Sequence, residues 1–461
     1  MRLGGLFAVP LVALLGACSS GDLDVPWAVS SRVPFPFELP GPTPTSTPIT
    51  VSFGDGRDGD RTFVAGSNAI TNCWPVVSAT GANVVSTAAL PLVAGDRILL
   101  HQTQDVFATI PTASPMLEVG EAGRWEIAVV ASTSGTAVSV DPPLTYGYDS
   151  SSGRRAQLCR LRQYQNVSVV APALLTPSDW NGTTGGILAF FVNGTLTLTT
   201  AGAGANTGAL SADGRGFRPG DSLENGSTVA DITAETTTLQ NGGAKGEGLD
   251  ATYFGQYGRG NPANGGGGGN GRFGGGGGGG GFGSGGLGGR QAQGQGDVPA
   301  TAGRGGAAAV APERLFFGGG GGVGHTNNEQ GVAGRGGGIV LVFARNITGA
   351  GHVRANGGDA LDVNDKEGGP GGGGGGTVVM AWEGGIGWTG AVTVIGGDGG
   401  STRGDAIEHC GPGGGGGGGR VLVVEGALPS ARIDDSGGPT GTNLDGDPWG
   451  AEPGAAGGGA E

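Results

Sequence analysis

Short runs of apolar residues separated by polar turns recur along the chain, and they predict strands rather than helices. In the first 170 residues the clearest runs are 97–102 (RILLHQ), 125–130 (WEIAVV), 137–140 (AVSV), 157–162 (QLCRLR) and 166–170 (NVSVV). None of them has a helical period of useful length. The segment 131–136 (ASTSGT) suits a hairpin loop between two of the strands. Residues 49–170 are therefore predicted to form a small all-β domain, either a barrel or a sandwich.

Four later apolar runs share one arrangement, which predicts a stacked array of β-repeats. Each unit has a glycine run, an apolar strand, a short connection, a second strand and a polar turn of Gly, Asp or Asn. The units begin at Gly185 (GGILAFFVNGTLTL), Gly336 (GGGIVLVFARNITGAGHV), Gly374 (GGGTVVMAWEGGIGWTGAVTV) and Gly417 (GGGRVLVVEGALPSARI). The strands that start at Ile339, Val378 and Val421 are 39 and 43 residues apart, a spacing typical of arrays whose units stack their apolar faces. Residues 171–436 are predicted to be this repeat domain, with an insertion at about 215–335.

Glycine makes up 108 of the 461 residues, more than three times its usual share of about 7%. The purest runs, 265–269, 274–281 and 318–322, lie inside the insertion. A collagen triple helix is excluded because its strict glycine period is absent. The runs would suit either a flexible linker or packed polyglycine II helices. Linkers normally mix Gly with Ser, whereas nearly pure glycine lets extended backbones approach closely enough to hydrogen-bond sideways. We therefore expect ordered, packed helices.

The expected fold is mostly β: a small all-β domain, then a glycine-rich β-repeat array with polyglycine II helices, and a low-complexity tail at 437–461. The formal net charge is −14 and the basic residues are not clustered, which excludes a nucleic-acid-binding footprint. Matches to GxGxxG occur throughout the glycine runs, so they carry no nucleotide signal without a strand and a helix around them. No cofactor is expected.

The N-terminus has the pattern of an export signal that ends in a membrane anchor. Arg2 precedes an apolar segment at 3–15, which is too short to cross a bilayer as a helix. Residues 15–18 (LGAC) resemble the lipobox of bacterial lipoproteins. The resemblance implies a signal peptide at 1–17 and lipidation of Cys18, which would become the mature N-terminus. An ordinary signal peptide with a chance cysteine is the alternative.

The residues after the cysteine refine the expected location. By the sorting habit of bacterial lipoproteins, Ser19 implies the outer membrane of a Gram-negative cell. Residues 18–48 contain six prolines between positions 34 and 48, which favours an extended tether. We expect a lipid-anchored protein of the outer membrane or cell surface.

Four cysteines are present in the chain. If Cys18 carries lipid, an odd number remains. Cys73 and Cys159 both fall in the predicted all-β domain, and an exported protein meets oxidising conditions. We predict that these two form a disulfide, with two free buried thiols as the alternative, and that Cys410 stays outside the bridge.

Several segments resemble large glycine-rich secreted proteins and lipoproteins of environmental bacteria such as myxobacteria. The matching parts are 53–59 (FGDGRDG), 95–104 (GDRILLHQTQ), GGILAFFVNGTLTL, RANGGDA and the glycine runs. This resemblance spans most of the mature chain and implies no established activity. A looser one, in composition, is to the glycine-rich region of the anaplastic lymphoma kinase and leukocyte tyrosine kinase receptors, where glycine runs form packed polyglycine helices.

Residues 220–223 spell GDSL, the nucleophile block of a hydrolase family in which Ser attacks an ester and a later His acts as the base. The context does not fit, because a polar segment precedes Ser222. Asp405 and His409 are also four residues apart, where the family has Asp-x-x-His. None of the four histidines lies beside a conventional nucleophile motif; they are His101, His325, His352 and His409. A catalytic role is not expected.

Asp55, Asp58 and Asp60 crowd three carboxylates into a glycine-rich loop, which is the ligand type that Ca²⁺ requires. Arg57 lies among them and the spacing is not that of an EF-hand loop. They are weak calcium candidates, and an ordinary solvated Asp-Gly turn is favoured.

Two other patterns have structural as well as functional interpretations. Trp382 and Trp388 lie close together in the third unit, where core packing is favoured over stacking on a sugar. For the RGD tripeptide at 403–405, a chance match, which is not rare at this glycine content, is favoured over integrin-like adhesion.

The favoured function is structural or adhesive, without catalysis. A rigid array anchored by lipid would present its faces to extracellular polysaccharide or other surface proteins. The alternatives are a module that binds a carbohydrate or protein ligand, and a secreted hydrolase that uses the GDSL segment.

The anchor is testable by mutation. Cys18→Ser should convert a protein that partitions into the detergent phase into a soluble or unprocessed one, because the lipid is attached through the thiol. Detergent phase separation of cell fractions measures this. A cleaved variant that still partitions with membranes would contradict the lipobox interpretation.

Overall fold

The computed structural model describes residues 52–107, 114–116, 119–200, 209–224, 233–252, 255–290, 301–383, 387–404 and 410–458. The expected signal peptide, Cys18 and the proline-rich tether lie outside the described residues. The strands are β1 (Arg61–Phe63), β2 (Ser67–Asn68), β3 (Asn72–Thr80), β4 (Asn83–Ser86), β5 (Arg97–Gln104), β6 (Trp125–Ser134), β7 (Ala137–Val140), β8 (Tyr148–Asp149), β9 (Arg155–Tyr164), β10 (Val167–Val169), β11 (Leu174–Leu175), β12 (Ile187–Leu198), β13 (Ala209–Ser211), β14 (Ile339–Gly349), β15 (Val353–Arg354), β16 (Thr377–Ala381), β17 (Gly387–Trp388), β18 (Val392–Thr393), β19 (Arg420–Glu425) and β20 (Ile433–Asp434). Short 3₁₀ turns lie at Ser151–Gly153, Leu239–Asn241 and Ser430–Arg432. The described residues contain no helix that is long and apolar enough to cross a membrane. The mostly β fold is confirmed.

Two parallel sheets stack into a β-solenoid. The first sheet runs in the order β1, β10, β12, β14, β16, β19. The second runs β2, β11, β13, β15, β18, β20. Each coil therefore contributes one strand to each sheet and advances the stack by one strand, as the repeat pattern predicted.

The strand pairing differs from the sequence alignment by one residue. Val340, not Ile339, lies opposite Val378, which in turn lies opposite Val421. The strands β16 and β19 begin one residue earlier than expected, with a polar residue that is buried and hydrogen-bonded. Thr377 donates from Oγ1 to the Phe316 carbonyl at 2.8 Å, so a buried polar residue occupies a place where an apolar one was expected.

The first coil and the first strand of the second coil lie in the segment 49–170, which was assigned to the all-β domain. The two coils consist of β1 with β2 and of β10 with β11, and the last pair crosses the expected boundary between 170 and 171. The rest of that segment, β3 to β9, is inserted between them.

The inserted strands form a closed antiparallel barrel. Its order is β3, β4, β7, β6, β5, β9 and back to β3. The hairpin loop predicted at 131–136 is shorter in the structure, because β6 extends to Ser134, which pairs with Ala137. Gly135, with φ +58°, makes the tight turn.

Cys73 and Cys159 form the predicted disulfide. They lie directly opposite each other on β3 and β9, the pair of strands that closes the barrel. Cys410 is buried and is not part of this bridge.

The first sheet of the solenoid is buried on both faces where its strands begin, which explains their continuous apolar runs. On the inner face Leu188 and Val340 belong to one core cluster with Val353 of the second sheet. On the outer face Phe191 and Phe343 belong to a cluster with residues of the glycine-rich insertion. Each such side chain contributes about 1.5–3 kcal/mol when fully buried.

The run 274–281 forms the centre of a bundle of extended glycine helices. The amides of 275–281 donate to three segments in turn, with N···O distances of 2.7–3.0 Å. Gly275, Gly278 and Gly281 donate to 283–289, Gly276 and Gly279 to 369–372, and Gly277 and Gly280 to 264–267. Every third residue thus faces the same neighbour, which is the three-residue turn of a polyglycine II helix.

The carbonyls of the same run accept from three other segments. Residues 303–309 bond to Gly275, Gly278 and Gly281, residues 411–417 bond to Gly276 and Gly279, and residues 319–325 bond to Gly274, Gly277 and Gly280. The central helix is therefore hydrogen-bonded to six described segments, in a hexagonal arrangement. This confirms the expectation that the glycine runs are packed rather than flexible linkers.

The close approach of the backbones explains why these runs are nearly pure glycine. A Cβ atom on Gly277 would lie 2.1 Å from the Arg304 carbonyl oxygen, and one on Gly278 would lie 2.0 Å from that of Gly415. Neither obstacle is a side chain that can rotate away, because both are backbone atoms hydrogen-bonded within the bundle. Any side chain would have to push two helices apart.

The bundle is testable at Gly277. Gly277→Ala should lower the free energy of unfolding by about 1–3 kcal/mol, because the new methyl group meets the Arg304 backbone. Urea unfolding and hydrogen exchange across 274–281 measure this. The control is Gly147→Ala at an exposed position, where the Cβ would lie 3.9 Å from its nearest neighbour, the Ala79 carbonyl oxygen. Equal effects of the two substitutions, or rapid exchange across 274–281 in the unmodified protein, would show that the run is not packed.

The disulfide is testable by removing both thiols. A Cys73→Ala, Cys159→Ala variant should lose about 4–5 kcal/mol of stability, the chain-entropy value for a bridge of this span, since the two cysteines are 86 residues apart. Urea unfolding with and without reductant measures the loss, and only the unmodified protein should respond to reductant. Recovery of Cys73 linked to Cys410 in non-reducing peptide maps would contradict the assignment.

Candidate functional site

Towards the ends of the strands, the outer face of the first sheet carries polar side chains in place of apolar ones. Thr62, Ser168, Thr197 and Thr348 lie in register on β1, β10, β12 and β14. The hydroxyls of Thr197 and Thr348 are hydrogen-bonded at 3.1 Å. Because neighbouring strands are about 4.8 Å apart, the four side chains form a regular row of hydroxyl groups.

A second polar row lies beside the first. The Asn166 amide donates to Asp60 Oδ1 at 2.9 Å, and its Oδ1 accepts from the Thr195 backbone at 2.9 Å. Thr195 lies opposite Asn346 on β14. Together the two rows make an extended polar face of hydroxyl and amide groups on a rigid sheet.

The polar turns of the repeat connect one coil to the next. Asp213 accepts from the Asn356 backbone at 2.8 Å, and Asn356 accepts from the Ile395 backbone at 2.9 Å. Asp359 accepts in the same way from Asp398 at 3.0 Å. Burial, followed by the charge of Asp359, raises the pKa of Asp398. The Asp and Asn residues of the repeat thus bind neighbouring backbones.

The calcium candidates each have a partner within the protein. Asp55 forms an ion pair with Arg57 at 2.8 Å. Burial raises the pKa of Asp55, but the hydrogen bonds and charge of Arg57 outweigh it and hold the pKa below its usual value. Asp58 contacts Arg162 at 3.1 Å, and Asp60 binds Asn166. In the described part of the chain no group of three or more acidic, His or Cys side chains could hold a metal ion.

Ser222 of the GDSL segment is bonded to the backbone. Its hydroxyl donates to the Gly331 carbonyl. Asp405 and His409, which the hydrolase interpretation would need, lie outside the described residues. The structure therefore brings no described histidine to Ser222.

Two of the other histidines have structural contacts. His101 is buried, with Nε2 3.0 Å from the Leu315 carbonyl and Nδ1 2.9 Å from Thr103 Oγ1. Burial lowers the pKa of His101 to about 4, although the contact with Leu315 opposes this. His352 Nδ1 accepts from the Ala391 backbone at 3.2 Å.

Trp382 and Trp388 are both buried in the core between the two sheets. Trp388 donates from Nε1 to the Gly351 carbonyl at 2.6 Å, and Arg432 lies over its ring. The core interpretation of this pair is confirmed. In the RGD tripeptide, Arg403 and Gly404 are described and Asp405 is not.

A buried carboxylate that the sequence did not single out joins the insertion to the rest of the fold. Glu247 is 1% exposed and accepts hydrogen bonds from Trp180 at 3.0 Å, Arg218 at 2.9 Å and Gln104 at 3.2 Å. These partners are 29 to 143 residues away, so only the folded chain brings them together.

Comparisons with known proteins do not assign a family. No protein-family model and no curated protein matches the chain. Among solved structures the chain is similar to the Gp54 tailspike of Acinetobacter baumannii bacteriophage AP22, solved in complex with A. baumannii capsular saccharide. The identity is 10% and the TM-score 0.18, over 84% of this chain and 63% of the tailspike. The chain therefore spans less than two thirds of the tailspike, and at this TM-score the likeness carries no argument about function.

Proposed function

We propose that this chain is a non-catalytic structural or adhesive protein of the cell envelope, held at the outer membrane or cell surface by lipid on Cys18. The observation that carries the proposal is the glycine bundle, in which the central helix hydrogen-bonds to six described segments. Such a body has almost no side chains in its interior, so it contributes shape and rigidity rather than reactive groups.

The bundle and the solenoid form one mechanical unit. Gly374, at the entry to β16, donates to Gly319 of the insertion, and Gly372 donates to Gly414, which precedes β19. A force applied to one coil is therefore shared with the insertion through backbone hydrogen bonds. A rigid, anchored body of this kind suits a structural part of an envelope.

The polar rows on the first sheet supply the adhesive face in this proposal. Thr62, Ser168, Thr197 and Thr348 offer hydroxyl groups at a fixed spacing, with Asn166 and Asn346 beside them. Extracellular polysaccharide and other surface proteins both carry the donors and acceptors that such a face would bind.

The non-catalytic part of the proposal is supported at Ser222. A nucleophilic serine needs a base that accepts its proton, whereas this hydroxyl donates to the Gly331 carbonyl, which cannot act as a base. Hydrolysis through the GDSL segment remains the alternative that the next experiment tests.

Cells that produce the full-length chain test the proposal. Protease added to intact cells should remove the protein. In cells that carry Cys18→Ser or Gly277→Val, attachment to the extracellular matrix should fall to the level of cells that lack the protein. Ser222→Ala should leave attachment unchanged, and esterase activity of the purified protein should stay at background. Immunoblots of each variant control for protein level. Protection from protease until the cells are lysed would exclude the surface location, and a specific loss of turnover in Ser222→Ala with the fold intact would exclude the non-catalytic role.

A further inference from the structure

A groove lies where the barrel meets the solenoid. Its volume is about 350 Å³, within the range of small-molecule sites, roughly 300–1,000 Å³. One wall is the start of β3, with Asn72 and Trp74, and the other is the segment 178–187 that leads into β12. The polar side chains on the second wall are Ser178, Asp179, Asn181 and Thr184.

The wall on β3 is fixed in place. Cys73, between Asn72 and Trp74, is joined to β9 by the disulfide. Thr71 directly precedes β3. Its Oγ1 accepts from the Ala189 backbone at 2.9 Å and contacts the Ala189 carbonyl at 3.3 Å. The barrel strand is therefore tied both to its own sheet and to the solenoid.

The opposite wall is ordered by its own hydrogen bonds. Asn181 Oδ1 accepts from the Thr183 and Thr184 backbones at 2.9 and 3.0 Å. Gly186 donates to the Ser178 carbonyl at 2.8 Å, and Gly185 donates to Gln157 Oε1 at 2.9 Å. Because both walls are held before any ligand arrives, binding would require little further ordering.

The side chains that face the groove have hydrogen-bonding groups available. Asn72 and Ser178 are exposed and make no side-chain hydrogen bond with the described residues. Asn181 uses its Oδ1 in the turn. Asp179 is half exposed and paired with Arg215, so its charge is balanced locally. Trp74, which is only partly buried, adds an aromatic ring.

From this combination we infer that the groove binds a neutral saccharide. A sugar ring has C–H groups that pack on an aromatic ring such as Trp74 and hydroxyls that pair with the amides of Asn72 and Asn181. A phosphate ligand would need an excess of positive charge, whereas the residues that line the groove include no arginine or lysine, and Arg215 beside it is paired with Asp179. An apolar ligand would leave the side chains of Asn72 and Ser178 without hydrogen-bond partners.

This inference goes beyond the proposed function, because binding at the groove needs neither the anchor nor the polar rows. Purified protein can therefore bind a saccharide even if the protein is not an adhesin, and an adhesin can lack this site. The two proposals fail separately.

The probe is a printed panel of neutral oligosaccharides built from glucose, mannose, galactose and N-acetylglucosamine. The purified full-length chain should bind members of the panel, and Trp74→Ala and Asn72→Ala should each weaken that binding about tenfold, a typical loss for one buried contact. Trp74→Phe should retain most of the affinity, because a ring remains. Asn83→Ala, at an exposed position on β4 of the same barrel, is the matched control and should bind as the unmodified protein does.

Trp74 also packs against the barrel core, so Asn72→Ala tests the groove at an exposed position without disturbing the core. Unfolding curves of each variant separate lost binding from lost structure. Failure of the unmodified protein to bind any neutral oligosaccharide would overturn the inference. So would binding that is unchanged in Asn72→Ala and Trp74→Ala, or that falls equally in Asn83→Ala.

Discussion

The sideways hydrogen bond between glycine backbones is the interaction on which this structure depends. It forms only when two extended helices approach so closely that no Cβ atom fits, as at Gly277 and Gly278. Glycine loses more conformational entropy on ordering than any other residue, and it has no side chain to bury in compensation. The bundle offsets this cost with a hydrogen bond for each amide of 275–281, at N···O distances of 2.7–3.0 Å.

The glycine-rich insertion also covers the apolar outer face of the first solenoid sheet. The first sheet has apolar side chains on its outer face, and these need a cover. Phe217, Leu315 and Phe317 come from the glycine-rich insertion and belong to the same buried cluster as Phe191 and Phe343 of that face. A few large residues at the edge of the insertion are enough, because the glycine helices behind them are already held in place by one another.

The repeat and the order of the glycine runs could be predicted from the sequence because each depends on a local pattern. The disulfide could be predicted because Cys73 and Cys159 both fall in the predicted all-β domain. Apolar runs after glycine predict strands that stack, and nearly pure glycine predicts helices that pack. The coils made by β1 with β2 and by β10 with β11 were missed, because no glycine run precedes their strands. The run 166–170, which contains β10, was predicted as a strand but assigned to the all-β domain. The groove could not be predicted, since Asn72 and Asn181 meet only through the junction of the barrel and the solenoid.

The three-residue turn of the glycine helices sets a rule for how this protein can change in length. An insertion of three glycines turns the helix once and returns each later amide to its former neighbour. An insertion of one glycine would instead redirect the amides of all later residues, so that those now facing 264–267 would face a different segment. Runs of this kind can therefore grow or shrink in triplets while the surrounding helices keep their partners. The backbone hydrogen bonds of the bundle therefore constrain the length of each glycine run to steps of three residues.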